Sequence, residues 1–206
     1  MTLIEQALKC ANDTRVLHIG VDSLCRFPAI FKRQFPEKKA IIVADNTTYS
    51  VAGQMASKFL HNASIQQEEP FVFTDPDLYA EYKYLEQLEY ALKQTDAIPV
   101  AVGSGTINDL TKLAAYRTGR QYFCVGTAAS MDGYTAFGAS IAYRGDKQTF
   151  TCPAPQVVLA DIEIIRHAPP EMTASGYADL FAKMPAGADW ILADELGVEA
   201  IEPTAW

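Results

Sequence analysis

Several features that define common protein classes are scarce in this sequence. It has four cysteines, with no C-x-x-C pair among them: Cys10, Cys25, Cys124 and Cys152. We therefore expect reduced thiols in a cytoplasmic protein, with Cys124 as a core residue of an apolar strand. The formal net charge is −8 at pH 7, and there is no lysine- or arginine-rich block. This composition gives little support to a nucleic-acid partner.

The sequence also lacks a long apolar segment. No apolar stretch approaches the length of a membrane span, and residues 1–19 carry Glu5, Lys9 and Asp13 among their apolar positions. That segment predicts an amphipathic helix followed by a strand rather than a signal peptide, so no membrane partner is expected. The three histidines are scattered, and we interpret each of them as structural: His18, His61 and His167.

Short apolar runs alternate with helical periods along the chain. The apolar runs predict strands at 15–19, 40–44, 71–73, 98–102, 121–125 and 157–160. The segments between them predict helices at 23–35, 51–60, 78–94 and 110–117, the last one ended by Gly119. Residues 140–143 and 148–151 predict a hairpin. This pattern is typical of an α/β protein with a doubly wound parallel sheet.

The character of the chain changes at Ala168-Pro-Pro170. Residues from Met172 onward show helical periodicity, and 203–206 predict the beginning of a further helix. We therefore predict an α/β nucleotide-binding domain over 1–168. Residues 169–206 are predicted to be the incomplete beginning of an all-helical domain.

Two glycine- and hydroxyl-rich turns follow neighbouring apolar runs. The first lies in 101–112 and contains Gly103 and Gly105, and the second is 127–133. The predicted topology places both at the carboxyl edge of the sheet, where open α/β sheets bind ligands. The two glycines let a phosphate approach the backbone, and the N–H groups that open the next helix point toward it. These turns predict a nucleotide site.

The first turn alone is a weak signal. Asn108 stands where the dinucleotide fingerprint G-x-G-x-x-G has its third glycine, and a single G-x-G is often only a tight turn. The second turn strengthens the prediction. Thr127, Ser130 and Asp132 are crowded at the end of the next strand, beside small residues that leave room for a ligand.

Three carboxylates admit both a functional and a structural interpretation. Asp45 follows a strand, where it could accept hydrogen bonds from a ribose hydroxyl or equally well cap the next helix. Asp132 precedes Gly133, so the alternative to ligand binding there is an Asp-Gly turn. Asp179 lies in a helix four residues before Lys183, and spacing alone favours a surface pair worth about 0.2–0.5 kcal/mol.

Three motifs in this order resemble the sn-glycerol-1-phosphate dehydrogenase family, including its bacterial AraM-type members. The motifs are 103–109 (GSGTIND), 127–133 (TAASMDG) and 175–183 (SGYADLFAK). Residues 185–190 (PAGADW) and 196–198 (LGV) are also similar to the AraM-type branch. The family lies within the superfamily of iron-containing alcohol dehydrogenases, glycerol dehydrogenases and dehydroquinate synthases. The resemblance covers nearly the whole chain.

The resemblance implies an oxidoreductase of phospholipid metabolism that interconverts dihydroxyacetone phosphate and sn-glycerol 1-phosphate. Its cofactors would be NAD or NADP and a divalent metal (zinc, nickel or iron), and we expect a homo-oligomer. The implied cofactor contacts are Asp45 at the adenosine ribose, Thr127 and Ser130 at the nicotinamide side, and, around the pyrophosphate, Gly103, Gly105, Thr106, Ile107, Asn108 and Asp109.

The same resemblance implies two catalytic, substrate-binding carboxylates. Asp132 would contact the substrate hydroxyls, and Asp179 would bind the metal together with two histidines. Those histidines would be expected beyond Trp206, and His167 lies in no matching motif, so we expect the chain to be a fragment rather than a natural short form. A second departure is Ala136, which replaces a serine that often contacts the cofactor in the family.

Two other functions stay open on the sequence. One is a glycerol or polyol dehydrogenase, or a synthase-type enzyme, of the same superfamily. The other is a non-catalytic nucleotide-binding module. Because a 2′-phosphate would be repelled by Asp45, the sequence weakly favours NAD over NADP.

Overall fold

The predicted strands assemble into a parallel sheet. In this computed structural model, which describes residues 2–203 and 206, the strands are β1 (Val16–Gly20), β2 (Ala40–Asp45), β3 (Phe71–Phe73), β4 (Ile98–Gly103), β5 (Phe123–Gly126), β6 (Ala139–Tyr143), β7 (Asp146–Phe150) and β8 (Val157–Asp161). Six of them form one sheet in the order β1-β8-β5-β4-β2-β3, with all neighbours parallel. β6 and β7 form an antiparallel hairpin. The predicted α/β class is confirmed.

Helices cover both faces of this sheet. They are α1 (Leu3–Cys10), α2 (Phe27–Gln34), α3 (Asn46–Thr48), α4 (Gln54–Asn62), α5 (Tyr82–Lys93), α6 (Gly105–Arg117), α7 (Ile162–Ile165), α8 (Pro170–Phe181) and α9 (Lys183–Glu195). Successive strand residues point to opposite faces, so the core divides into two clusters. Ile41 and Val43 pack with α5 and α6, whereas Ile42 packs with α2 and α4.

The helix starts differ most from the predicted bounds. The chain becomes helical directly after Asp45 and after Ser104, several residues earlier than predicted. In the first case the Asp45 carboxylate caps the helix by accepting a hydrogen bond from the Thr48 N–H. In contrast, α5 begins later than predicted because residues 80 and 81 pair with β6. The Ala142 N–H donates to the Ala80 carbonyl at 2.7 Å.

Two turns contain a glycine with a positive φ, as their sequences lead one to expect. Gly119 has φ of +72° and ends α6, and the Arg120 N–H donates to the Ala115 carbonyl at 3.0 Å, as in a Schellman motif. The hairpin turn consists of Arg144 and Gly145, both with positive φ, so it is shorter than the predicted four-residue connection.

The C-terminal part is helical, as predicted, and α8 and α9 have no buried side chain. Large apolar side chains are exposed along this part of the chain: Tyr177, Leu180, Phe181, Met184, Ile191, Leu192, Leu196 and Val198. The predicted helix start at 203–206 lies partly outside the described residues. Across the part of the chain that the structure describes, no helix combines the length and apolar character needed to cross a membrane.

Candidate functional site

A cleft of about 380 Å³ lies at the carboxyl edge of the parallel sheet. Its walls come from the segments that follow β2, β3, β4, β5 and α7. This is the edge at which open α/β sheets bind ligands. Of the predicted cofactor residues, four line the cleft: Asp45, Thr106, Ile107 and Thr127.

The amino end of α6 opens into this cleft. Ser104 is the N-cap residue, yet its side chain makes no capping hydrogen bond, and the Asn108 N–H is the first to bond back, to the Ser104 carbonyl at 2.9 Å. The first-turn N–H groups of this thirteen-residue helix are therefore available beside Ser104, Thr106 and Ile107, which line the cleft. Such a helix terminus attracts anions, phosphates in particular.

The two glycines of the first turn have different tasks. A Cβ at Gly103 would lie 2.6 Å from the Ile107 Cβ, so this glycine lets the strand and the helix pack closely. A Cβ at Gly105 would lie 3.5 Å from the Met131 sulfur, which is an ordinary contact. Gly105 therefore faces the second polar loop.

Asp45 caps the helix that follows β2 and also lies at the cleft. Its Oδ1 accepts the Thr48 N–H at 2.8 Å, and its own N–H donates to the Thr48 hydroxyl at 3.1 Å, so it forms a capping box. It also lines the cleft. The cap orients the carboxylate at the end of β2, and no protein hydrogen bond to Oδ2 is present among the described residues.

The second polar loop begins at the cleft and leads away from it. The Thr127 N–H donates to the Gly103 carbonyl at 3.0 Å, which ties the two turns together, and Thr127 lines the cleft. The Tyr134 hydroxyl donates to the Ala128 carbonyl at 2.7 Å and closes the loop. Burial raises the pKa of Tyr134. Ser130 lies within this closed loop, outside the cleft wall.

Asn108 and Asp109 point away from the cleft. Asn108 is fully buried, and its Oδ1 accepts the Tyr122 hydroxyl at 2.9 Å. Asp109 Oδ2 accepts the Ser140 N–H at 3.1 Å, at the start of β6. Asn108 is in the core and Asp109 is partly buried, and both side chains bond within the protein rather than lining the cleft.

The two predicted catalytic carboxylates meet at a contact between the loop and α8. The Asp132 N–H donates to Asp179 Oδ2 at 3.0 Å, and Lys183 Nζ lies 2.9 Å from Asp132 Oδ2. The hydrogen bond from the Asp132 N–H holds the pKa of Asp179 below its usual value, and the bond to Asp132 raises the pKa of Lys183. The predicted Asp179–Lys183 surface pair is replaced by a Lys183–Asp132 pair.

A glycine makes this contact possible. A Cβ at Gly176 would lie only 2.0 Å from the carbonyl oxygen of Ala129, well inside van der Waals contact. With glycine there, α8 lies directly against the loop, one turn before Asp179. The motif 175–183 therefore supplies both the close approach and the carboxylate.

The donor set for a metal is incomplete within the described residues. They contain no group of three or more histidine, cysteine, aspartate or glutamate side chains that could hold a metal ion. Asp179 brings one carboxylate, and its neighbour Asp132 is already paired with an ammonium group. The residues described here therefore do not fit a complete catalytic metal site, which takes about three protein ligands.

Two titratable residues of the cleft were not predicted as site residues by the sequence analysis. Asp75 lies two residues after β3, as Asp45 lies at the end of β2, and both line the cleft. The rule that parallel strands share a carboxyl edge could have found it. His167, interpreted as structural, also lines the cleft, and its Nδ1 lies 2.6 Å from the Glu163 carbonyl. Nothing in its sequence context marks it.

The comparisons with known proteins agree with this architecture. The chain is 37% identical over 168 residues to a glycerol-1-phosphate dehydrogenase (NAD(P)+) of Halalkalibacterium halodurans, covering 80% of this chain and 42% of the relative. It is 32% identical over 180 residues to the protein of the same name in Geobacillus thermodenitrificans, covering 86% and 45%. The chain thus spans less than half the length of these relatives.

A solved structure supports the fold. The glycerol dehydrogenase of Schizosaccharomyces pombe superposes with a TM-score of 0.69 at 20% identity, covering 84% of this chain and 43% of that one. The resemblance predicted from the three motifs is confirmed. The family profile of the iron-containing alcohol dehydrogenases matches residues 18–169, and this chain belongs to that family.

Proposed function

We propose that the chain forms the dinucleotide-binding part of an NAD(P)-dependent, metal-dependent dehydrogenase. The reaction is the interconversion of dihydroxyacetone phosphate and sn-glycerol 1-phosphate. The observation that carries the dinucleotide role is the uncapped amino end of α6, which opens into the cleft. The substrate assignment is supported by relatives named glycerol-1-phosphate dehydrogenase.

The residues around the cleft fit a dinucleotide. The first-turn N–H groups of α6, which begins at Gly105, would hold the pyrophosphate. Asp45 would accept hydrogen bonds from the adenosine ribose, and Thr127 would lie on the nicotinamide side, with Ser130 behind it. When bound, the dinucleotide supplies the hydride acceptor. Asn108 and Asp109 would contribute through the position of α6, because their side chains bond to Tyr122 and to the Ser140 N–H.

The carboxylate contact would be the substrate side of the site. Asp132 would accept hydrogen bonds from the substrate hydroxyls, and Asp179 would be the one metal ligand that this chain contributes. The remaining ligands would come from outside the described residues. We further propose that 169–206 begin a helical domain whose apolar partner surface covers the exposed side chains of α8 and α9.

The cofactor role can be tested on the chain itself with two variants of Ser104. In Ser104→Asp a carboxylate would occupy the N-cap position, hydrogen-bond the free N–H groups and repel the pyrophosphate. The fold should be kept or stabilised, while the affinity for NADH falls at least tenfold in a calorimetric titration. The matched control Ser104→Ala, which introduces no charge, should bind close to wild type. Equal binding by wild type and Ser104→Asp would remove the phosphate role of α6.

The substrate assignment needs a measurement on a full-length enzyme. Turnover of sn-glycerol 1-phosphate should exceed that of glycerol by a large factor, and the chain alone should show neither turnover nor a tightly bound stoichiometric metal. Preference for glycerol would favour a polyol dehydrogenase instead. Dinucleotide binding with no metal and no turnover in the full-length protein would indicate a non-catalytic binding module.

A further inference from the structure

A buried lysine underlies the polar loop. Lys112 lies in α6 with its side chain 1% exposed, and its Nζ donates to the carbonyls of Ala136 at 3.0 Å and Gly138 at 2.9 Å. Its third neighbour is Asp109 Oδ1 at 3.7 Å. Two of the three N–H donors of the ammonium group are thus used by carbonyls, and the Asp109 carboxylate supplies the opposite charge.

Asp109 extends the same cluster toward the hairpin. Its Oδ2 accepts the Ser140 N–H at 3.1 Å. Burial raises the pKa of Asp109, and the charge of Lys112 opposes that effect. Asp109 and Lys112 are three residues apart on one face of α6, so together they bind the backbone at three points within 136–140.

The segment 136–140 is the far end of the loop that carries Asp132. The near end is fixed separately, because the Thr127 N–H donates to the Gly103 carbonyl and the Tyr134 hydroxyl donates to the Ala128 carbonyl. The part between the two anchors contains Asp132, whose N–H reaches Asp179 in α8. The position of that N–H therefore depends on an anchor at each end, and only one of them faces the cleft.

We propose that Lys112 is a positioning residue, with Asp109 as its counter-ion. Its hydrogen bonds to the carbonyls of Ala136 and Gly138 fix the position of the loop relative to α6. The position of the loop in turn determines whether the Asp132 N–H reaches Asp179. Lys112 does so without touching the cleft surface at which the dinucleotide would bind. This inference rests on the proposed function for its activity readout, but its structural readout does not.

Without the ammonium, the cluster leaves three oxygens facing one buried space. The two carbonyls would lose their donor, the carboxylate would lose its counter-ion, and the three oxygens would repel one another. The segment must then move outward or admit water. The near anchor at Thr127 shares no contact with this cluster. The expected effect of removing Lys112 is therefore a displaced Asp132 with an intact cleft.

Three variants separate positioning from general stability. Lys112→Met keeps the length of the side chain and removes its charge and its donors. The double variant Lys112→Met/Asp109→Asn also removes the buried carboxylate charge, while the amide oxygen still accepts the Ser140 N–H. Lys93→Met is the control, because Lys93 is exposed and forms a surface pair with Glu89 at 3.8 Å.

The structural readout is amide hydrogen exchange measured by NMR on the chain. In Lys112→Met the Asp132 amide should lose at least tenfold in protection, while the Thr127 amide keeps its protection. The double variant should regain thermal stability but not Asp132 protection, because both carbonyls still lack a donor. Recovery of both properties in the double variant would overturn the proposal. Unchanged protection of the Asp132 amide in Lys112→Met would also overturn the proposal. If Lys112→Met does not fold, unchanged protection in the double variant would overturn it.

The activity readout uses a full-length enzyme that contains this chain. The double variant should bind NADH within about threefold of wild type but lose at least tenfold in kcat/KM for sn-glycerol 1-phosphate. Lys93→Met should match wild type in both. Unchanged kcat/KM in a folded double variant would overturn the positioning role. Absence of turnover in the wild-type protein would instead count against the proposed function, and the exchange experiment would then decide on Lys112 alone.

Discussion

The backbone N–H of Asp132 donates a hydrogen bond to Asp179 Oδ2 at 3.0 Å, which joins the loop after β5 to α8. The two carboxyl side chains do not share this bond. Asp132 uses its side chain to bind Lys183, and Asp179 receives a backbone donor. The two carboxylates thus have different partners, so substitutions at the two positions should have different consequences.

Asp179→Asn should remove the metal and the turnover of a full-length enzyme while leaving dinucleotide binding largely intact. The amide keeps the shape and still accepts the Asp132 N–H, but it lacks the negative charge that a divalent cation needs. Asp132→Asn should retain metal and cofactor and impair KM or kcat for the substrate. Metal analysis and steady-state kinetics on both variants test this assignment.

The structural alternative makes the opposite prediction for Asp179→Asn. If Asp179 makes only surface interactions and binds no metal, the variant should lose well under 1 kcal/mol of stability and keep near-normal turnover. An active Asp179→Asn enzyme with a full complement of metal would therefore remove Asp179 from the site.

Gly176→Ala should break the same contact without changing any charge. The new Cβ would lie 2.0 Å from the Ala129 carbonyl oxygen, so α8 or the loop must move. Overpacking of this kind costs about 1–3 kcal/mol, which denaturant unfolding would detect. Turnover should fall with it, whereas NADH affinity should not. Gly187→Ala, also on the C-terminal helices but with its nearest neighbour at 3.4 Å, is the control.

The Asp132–Asp179 contact should be sensitive to acid. The pKa of Asp179 lies below its ordinary value of 3.8, chiefly because of the Asp132 N–H and with help from the charge of Lys183. A lowered folded-state pKa stabilises the contact at pH values above the ordinary one, and this contribution is lost as the pH falls through the lowered pKa. NMR titration of the Asp179 carboxyl carbon should show this directly.

Gly176→Ala provides the matched comparison for that titration. Once α8 moves away from the loop, the Asp132 N–H no longer reaches Asp179, and the pKa should return toward 3.8. If the wild type and the variant titrate alike, the hydrogen bond does not control the charge of Asp179.

The sheet and its ligand-binding edge could be predicted because they depend on local patterns. β4 is buried along its whole length, as an apolar run predicts for a parallel strand covered on both faces. Gly119 marked the end of α6 correctly because few other residues adopt its positive φ. The predicted helix starts were wrong because an N-cap residue such as Asp45 comes directly at the end of the strand. Hydrophobic periodicity gives no signal at that point of the chain.

The site was only partly predictable for a different reason. Asp109 and Asn108 belong to a motif that resembles cofactor-binding turns, but whether a helix residue faces the cleft or the core depends on what packs around it. α6 is covered by the sheet, α5 and the hairpin, so the side chains of Asn108 and Asp109 bond within the protein. The Lys183–Asp132 pair joins residues far apart in the chain, which spacing within one helix cannot reveal.

The cleft should favour NADH over NADPH. Asp45 and Asp75 both line it, and no lysine or arginine does so within the described residues. The Tyr84 hydroxyl holds the pKa of Asp75 below its usual value, so this carboxylate is charged at neutral pH. Two negative charges would repel the 2′-phosphate of NADPH.

Asp45→Asn and Asp75→Asn should each raise the ratio of NADPH to NADH affinity by roughly fivefold, which is about 1 kcal/mol of relieved repulsion. Asparagine still caps a helix, so Asp45→Asn should keep the fold. Asp96→Asn removes a charge outside the cleft and should leave the ratio unchanged. Calorimetric titrations with both dinucleotides provide the measurement. A ratio that rises equally in all three variants would indicate an effect of net charge rather than of the cleft.

The two glycines of the first turn should separate stability from binding. Gly103→Ala would place a Cβ 2.6 Å from the Ile107 Cβ, so it should cost about 1–3 kcal/mol in unfolding free energy. Gly105→Val should be better tolerated by the fold, because its Cβ meets only the Met131 sulfur at 3.5 Å. Its branched side chain would nevertheless fill the space beside the first turn of α6, so NADH binding should be lost. Thermal unfolding and calorimetry on both variants distinguish the two effects. If Gly105→Val binds NADH as tightly as wild type, the pyrophosphate does not lie at this turn, and the amino end of α6 has no part in the cofactor site.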